Sequence, residues 1–283
     1  MPGIPAMISC RHSTIRVLLL AAAVAVLGLG GCRRKVPKPR VEFTFQKVVF
    51  QIAETELRVH VTQVGTNPLT MVNLHEDERT SVEAGRVVQQ KHGGRLMQLV
   101  HSGERRPTFF MAGNRFTFDP NRIYSPTGVN STVKGPESVP IPPEAYAAIT
   151  DYAAQFVDFF KLGRQRALIA LHNNAEEKYS IRSYLPGGPF EADTDQIFVS
   201  HTADPDDFYF VTDDRFFRAL KEQGFNVVLQ DNRIKRDDGS LSVFCGRHRI
   251  PYVNVEAQNG HLVEQVRMLE AAVTLVESVI GTR

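Results

Sequence analysis

Three short, nearly all-apolar runs constrain this chain more than any other feature, because each has the length of a strand and each stops at a residue that handles protons or metals. Leu69-Thr70-Met71-Val72-Asn73-Leu74 leads into His75, Arg166-Ala167-Leu168-Ile169-Ala170-Leu171 into His172, and Tyr252-Val253-Asn254-Val255 into Glu256. A strand apolar on both faces has to be covered on both, which is the setting of a parallel sheet between helical layers. Amphipathic segments fall between the runs as that arrangement requires. Ser81 to Gln90 reads as a helix closed by Gly93-Gly94. Pro142-Pro143-Glu144 opens a second, apolar from Ala145 to Phe160, with Gly163 suited to its C′ position. Further helices are expected near Asp213–Gln223, ended by Gly224, and over Leu262–Ile280.

The remaining strands are simpler. Val41 to Phe45 and Leu57 to Val61 alternate apolar and polar residues, giving two half-exposed strands that form an antiparallel edge. Arg95–His101, Ile197–Ser200 and Phe225–Leu229 complete the set, and Val243-Phe244-Cys245 reads as a buried strand. The expected fold class is α/β: a mixed, mostly parallel twisted sheet with helices on both faces, in one domain over residues 41–283. With 42% hydrophobic residues the chain can build a core, which excludes low-complexity disorder. Lys and Arg number 33 against 31 Asp and Glu, interspersed, so there is no basic face and no nucleic-acid partner is expected.

The first 40 residues follow other rules. Met1 to Arg16 is polar and carries Arg11 and Arg16 with no acid; Val17 to Leu27 is apolar but shorter than the roughly 20 residues of a spanning helix. Leu29-Gly30-Gly31-Cys32 then resembles the lipobox of bacterial lipoproteins, in which the Cys is lipidated and becomes the mature N-terminus. The expectation is a signal peptide over 1–31, a lipid anchor at Cys32, a flexible basic tether over 32–40, and residence at the periplasmic face of a bacterial cell envelope. Losing Arg11 and Arg16 with the leader takes the formal charge from +2 to 0, so the lipid rather than surface charge would hold the body at a membrane. Of three Cys, Cys10 and Cys32 lie in this segment, and no disulfide is expected.

In open α/β sheets, ligands sit beyond the carboxyl ends of the strands. His75, His172 and Glu256 should therefore share one rim, joined by Glu78, which is spaced to reach the same point as His75 from one tight turn. A catalytic zinc takes three ligands of the His and Glu type and leaves one position open, so His75, Glu78 and His172 form a candidate site for one zinc ion. The other histidines, His92, His101, His201, His248 and His261, fall outside the pattern. Tyr179, Tyr184, Tyr209 and Tyr252 are candidate substrate contacts.

The order of these pieces resembles the zinc carboxypeptidase superfamily, including its succinylglutamate desuccinylase/aspartoacylase branch. The residues that carry the resemblance are His75-Glu76-Asp77-Glu78, Asp119-Pro120-Asn121-Arg122, Leu171-His172-Asn173 and Val255-Glu256 through Gly260. It implies a zinc-dependent hydrolase cleaving an amide beside a carboxylate, in a peptide (by context a cell-wall peptide) or in an N-acyl amino acid. It also implies His75, Glu78 and His172 as ligands, Glu256 as general base, and Asn121 with Arg122 holding the substrate carboxylate. Arg115, seven positions before Arg122, would polarise the scissile carbonyl in the deacylase branch; Arg105 or Arg106 would suit the carboxypeptidase branch. Glu76 stands where the family pattern has glycine. A binding lipoprotein that kept the fold without turnover is the alternative from another class.

Overall fold

The structure, a computed structural model, describes residues 10–12 and 42–281 apart from 139, 177 and 235. Cys32 and the tether lie outside the described residues.

Ten strands form one sheet. In chain order they are β1 (Cys10–His12), β2 (Phe43–Ile52), β3 (Thr55–Val64), β4 (Thr70–Asn73), β5 (Gly94–Val100), β8 (Leu168–Asn174), β9 (Thr194–Phe198), β10 (Phe208–Val211), β11 (Asn226–Gln230) and β12 (Tyr252–Gln258); β6 (Thr108–Met111) and β7 (Asn114–Thr117) make a separate hairpin. Across the sheet the order is β1-β2-β3-β5-β4-β8-β12-β10-β11-β9. The centre, β5-β4-β8-β12, is parallel, while β2 and β3 close one side as an antiparallel hairpin. β10 and β11 are parallel to each other and antiparallel to β12.

The helices are α1 (Arg79–His92), α2 (Pro126–Thr132), α3 (Pro143–Phe159), α4 (Asp214–Glu222), α5 (Leu241–His248) and α6 (Leu262–Gly281). Alternate residues of the central strands feed two cores. Met71, Ile169, Leu171, Val253 and Val255 pack with α1, α4 and α6, whereas Val72, Leu168, Ala170 and Tyr252 pack with α2, α3 and α5. Both faces are thus covered. α1 lies close on β8: a Cβ at Gly85 would come within 2.6 Å of Leu171 Cδ1, so any larger residue there would force that side chain to shift. Among the described residues, no helix is long and apolar enough to cross a membrane.

Several local expectations change. α3 ends two residues earlier than expected: Phe160 is its C-cap, Lys161 takes the left-handed conformation at φ 51°, and Gly163 sits in the short 3-10 turn that follows. Cys245 lies in α5 rather than in a strand, as a buried free thiol whose pKa burial pushes up. Strand β10 and helix α2 were not expected. The loop rich in Pro, Gly and Ser hides α2, which starts with Ser125 accepting from Gly128 N and Pro126 in the first turn.

Candidate metal centre

Because β4, β8 and β12 run parallel, their carboxyl ends meet on one rim. β12 pairs with β8 in a register that places Glu256 opposite His172. The chain leaves β4 through Leu74 and turns at once, with Glu78 N donating to His75 O at 3.2 Å. That turn folds the two side chains together: His75 Nδ1 lies 2.9 Å from Glu78 Oε1, and His172 Nδ1 lies 3.0 Å from Glu78 Oε2. Glu78 is the N-cap residue of α1, but its carboxylate makes no capping bond and is left for the imidazoles. The helix start is held by β8 instead, where Asn173 Oδ1 accepts from Ser81 N at 2.8 Å.

The ligating atoms of His75, Glu78 and His172 lie within 4.8 Å of one another, and all three residues are at least 97% buried. The donor set is of the kind that holds zinc. Metal-binding histidines generally offer one ring nitrogen to the ion and the other to a carboxylate or carbonyl. His75 meets that requirement, since its Nε2 lies 3.0 Å from Asp119 Oδ1 while Nδ1 faces the cluster. His172 Nε2 is buried without a hydrogen-bond partner. These residues fit a single divalent ion with the Nδ1 atoms and the Glu78 carboxylate as ligands.

The electrostatics belong to a site built for a cation. Burial alone would lower His75, but Glu78 and Asp119 outweigh it and raise its pKa to about 9. Burial would raise Glu78 and Asp119, yet the facing imidazoles hold both carboxyls well below the usual range. Glu256 goes the other way: burial, then the charge of Glu78, push it up, with His172 opposing.

A cavity of about 590 Å³ opens over the cluster. Glu256 lines it without ligating, its Oε1 accepting from Asn254 Nδ2 at 3.1 Å. Asn121 and Arg122 line it too. Asn121 Oδ1 accepts from Leu241 N at 3.1 Å, and Arg122 Nε lies 3.5 Å from Asp238 Oδ2. The Asp238 turn reaches Arg122 because Gly239, at φ 73°, passes against Gly128 where a Cβ would come within 2.4 Å of the Gly128 Cα. Tyr179, Tyr184, Phe190, Phe210 and Tyr252 also line the cavity. Tyr209 does not; its hydroxyl donates to Met268 O inside the core.

Arg115 is not at the site. It sits on β7 of the hairpin, exposed, donating to Thr108 Oγ1 at 3.1 Å, and is not among the cavity-lining residues. Arg105 does line the cavity, with Nη1 2.5 Å from Glu78 Oε1. Arg106 points elsewhere and donates to Thr132 O. Asp119, to which the sequence reading gives no role, sits inside the very motif that supplies Asn121 and Arg122; its signal was present there.

No protein-family model matches the chain, and no curated protein matches it. Among solved structures the chain is similar to the ectoine utilization protein EutE (DoeB) from Ruegeria pomeroyi, with 14% identity over 86% of this chain and 69% of that one, at a TM-score of 0.42. It is also similar to an aspartoacylase family protein from Mesorhizobium loti, with 14% identity over 87% of this chain and 68% of that one, at a TM-score of 0.37.

Proposed function

We propose that this chain is a zinc-dependent amide hydrolase acting on a carboxylate-bearing substrate, a peptide or an N-acyl amino acid. The observation that carries the reading is the convergence of the buried His75, Glu78 and His172 cluster with Glu256, Arg105 and Arg122 on one cavity.

His75, Glu78 and His172 would hold the zinc. When bound, zinc supplies a Lewis acid that can lower the pKa of water toward about 7. Asp119 fixes the ring of His75 so that Nδ1 stays turned to the cluster. Glu256, with its raised pKa, takes a proton from the attacking water and returns it to the leaving amine at its Oε atoms. Arg105 donates to the carbonyl oxygen as charge gathers on it. Arg122 grips the substrate carboxylate through its fork of N–H donors, and the aromatic side chains of Tyr179, Tyr184 and Phe190 line the same cavity.

Two substrates fit this chemistry. A carboxyl-terminal peptide, such as a cell-wall peptide, follows from the leader: residues 1–31 as signal peptide, Cys32 as lipid anchor and 41–283 as the hydrolase domain would place the enzyme at the periplasmic face of a bacterial envelope. An N-acyl amino acid is favoured by the 94-residue interval between Glu78 and His172, which suits the deacylase branch. Product analysis of the zinc-loaded protein against a panel of peptides and N-acyl amino acids separates them. No turnover of any member, with zinc bound, would leave the binding lipoprotein in place of the enzyme.

A further inference from the structure

The loop that carries Arg105 poses a structural problem. β5 ends at Val100, and among the described residues no backbone–backbone hydrogen bond ties residues 101–106 to the rest of the protein. A segment without such bonds samples many conformations, and an arginine on it would be poorly aimed. Yet the guanidinium of Arg105 is held at the mouth of the cavity against Glu78.

The anchor is a side chain from the turn that follows β4, the strand next to β5 in the sheet. Glu76 Oε2 accepts from His101 N at 2.6 Å and from Gly103 N at 2.7 Å. Both donors therefore converge on one carboxylate oxygen, in bonds strengthened by its charge. Gly103 has φ 80°, a conformation glycine adopts without strain and one that turns its N–H back toward Glu76. The imidazole of His101 lies against the same carboxylate, with Nδ1 3.8 Å from Oε2. On the far side of Arg105, Arg106 Nη2 donates to Thr132 O at 2.6 Å. Arg105 is thus suspended between two pinned points, and the pin nearer the site stands next to His75 in the chain.

We propose that Glu76 is a positioning residue: it pins the 101–103 turn and so aims Arg105 across the cavity mouth. The kinetic consequence rests on the hydrolase reading above; the structural consequence does not. In the sequence Glu76 takes the place of a glycine in the family pattern, and a glycine offers no side-chain acceptor.

The test compares Glu76→Ala, Glu76→Gln, Arg105→Ala and the Glu76→Ala/Arg105→Ala double variant of the full chain. Two readouts are used, amide hydrogen exchange and steady-state kinetics on whichever panel substrate is turned over. Alanine removes the acceptor, whereas glutamine keeps a carbonyl oxygen with two lone pairs and should restore the turn. In Glu76→Ala the His101 and Gly103 amides should exchange at least roughly tenfold faster, while in Glu76→Gln they stay within about threefold of wild type. Glu76→Ala should lower kcat by about tenfold or more with KM changed less than about threefold, and the double variant should match Arg105→Ala alone. Zinc content should be the same in every variant. Unchanged exchange in Glu76→Ala overturns the proposal, and so do losses that simply multiply in the double variant. If Glu76→Ala does not fold, wild type decides: the His101 and Gly103 amides should exchange at least roughly tenfold more slowly than those of Ser102 and Glu104, and equal exchange across the four overturns the proposal. If wild type turns over no substrate, the hydrolase reading falls and the exchange data alone judge Glu76.

Discussion

Glu256 and His172 are register partners on neighbouring parallel strands, so a carboxylate and an imidazole leave the same face of the sheet one strand spacing apart, about 4.8 Å. That pairing separates their roles. The His172 Nδ1 atom turns into the cluster with Glu78, while Glu256 stays outside it, buried, bonded by Asn254 and raised in pKa by its surroundings.

Glu256→Gln should therefore leave the metal in place and remove the proton carrier. We expect zinc content equal to wild type and kcat lower by about 100-fold to 10,000-fold, the range such proton transfer contributes. Full activity in this variant would remove Glu256 from the chemistry.

The two arginines give a sharper contrast, because one lines the cavity and the other projects from an exposed hairpin. Arg105→Ala should cost on the order of 100-fold in kcat, the usual loss of an oxyanion donor, while Arg115→Ala should stay within about twofold of wild type. The reverse ranking, measured on the same substrate, would restore the role that the family resemblance implies for Arg115.

Arg122 already leans on Asp238, so its guanidinium is oriented before substrate arrives. Arg122→Lys keeps the charge but loses the fork, and KM should rise by about tenfold or more. Amidating the substrate carboxylate should cost wild type a similar factor and cost Arg122→Lys much less. Equal turnover of amidated and free-acid substrates would show that Arg122 does not hold that group.

Zinc binding should depend on pH through His75. Its pKa is raised to about 9 by Glu78 and Asp119 against the opposing effect of burial, so below that pH the ring carries a proton that zinc must displace. Apparent zinc affinity should climb by up to roughly tenfold per pH unit toward pH 9 and then flatten, with proton release visible by calorimetry in buffers of different ionisation enthalpy. Affinity that is flat between pH 7 and about pH 9 would contradict this.

Much of this arrangement was legible in the sequence because its causes are local. Apolar runs the length of strands mark β4, β8 and β12, and the residue that closes each run falls at the rim whatever the helices do between them. β10 was missed because Phe208-Tyr209-Phe210-Val211 is four residues long and follows an acidic turn, leaving no alternation to read. α5 passed for a strand because three apolar residues in a row have no period of their own. The arginine roles needed information that spacing does not carry. Which face of β7 Arg115 occupies is set by pairing with β6, and Arg105 reaches the cavity from a loop that Glu76 ties down, a contact over 27 residues to Gly103.

The central claim is that His75, Glu78 and His172 hold one metal ion, and metal stoichiometry after zinc loading and removal of excess ion tests it most directly. Wild type should retain about one zinc per chain, and Glu78→Gln and His172→Ala should each retain far less. A wild-type protein that retains none, or variants that retain as much as wild type, would contradict the account.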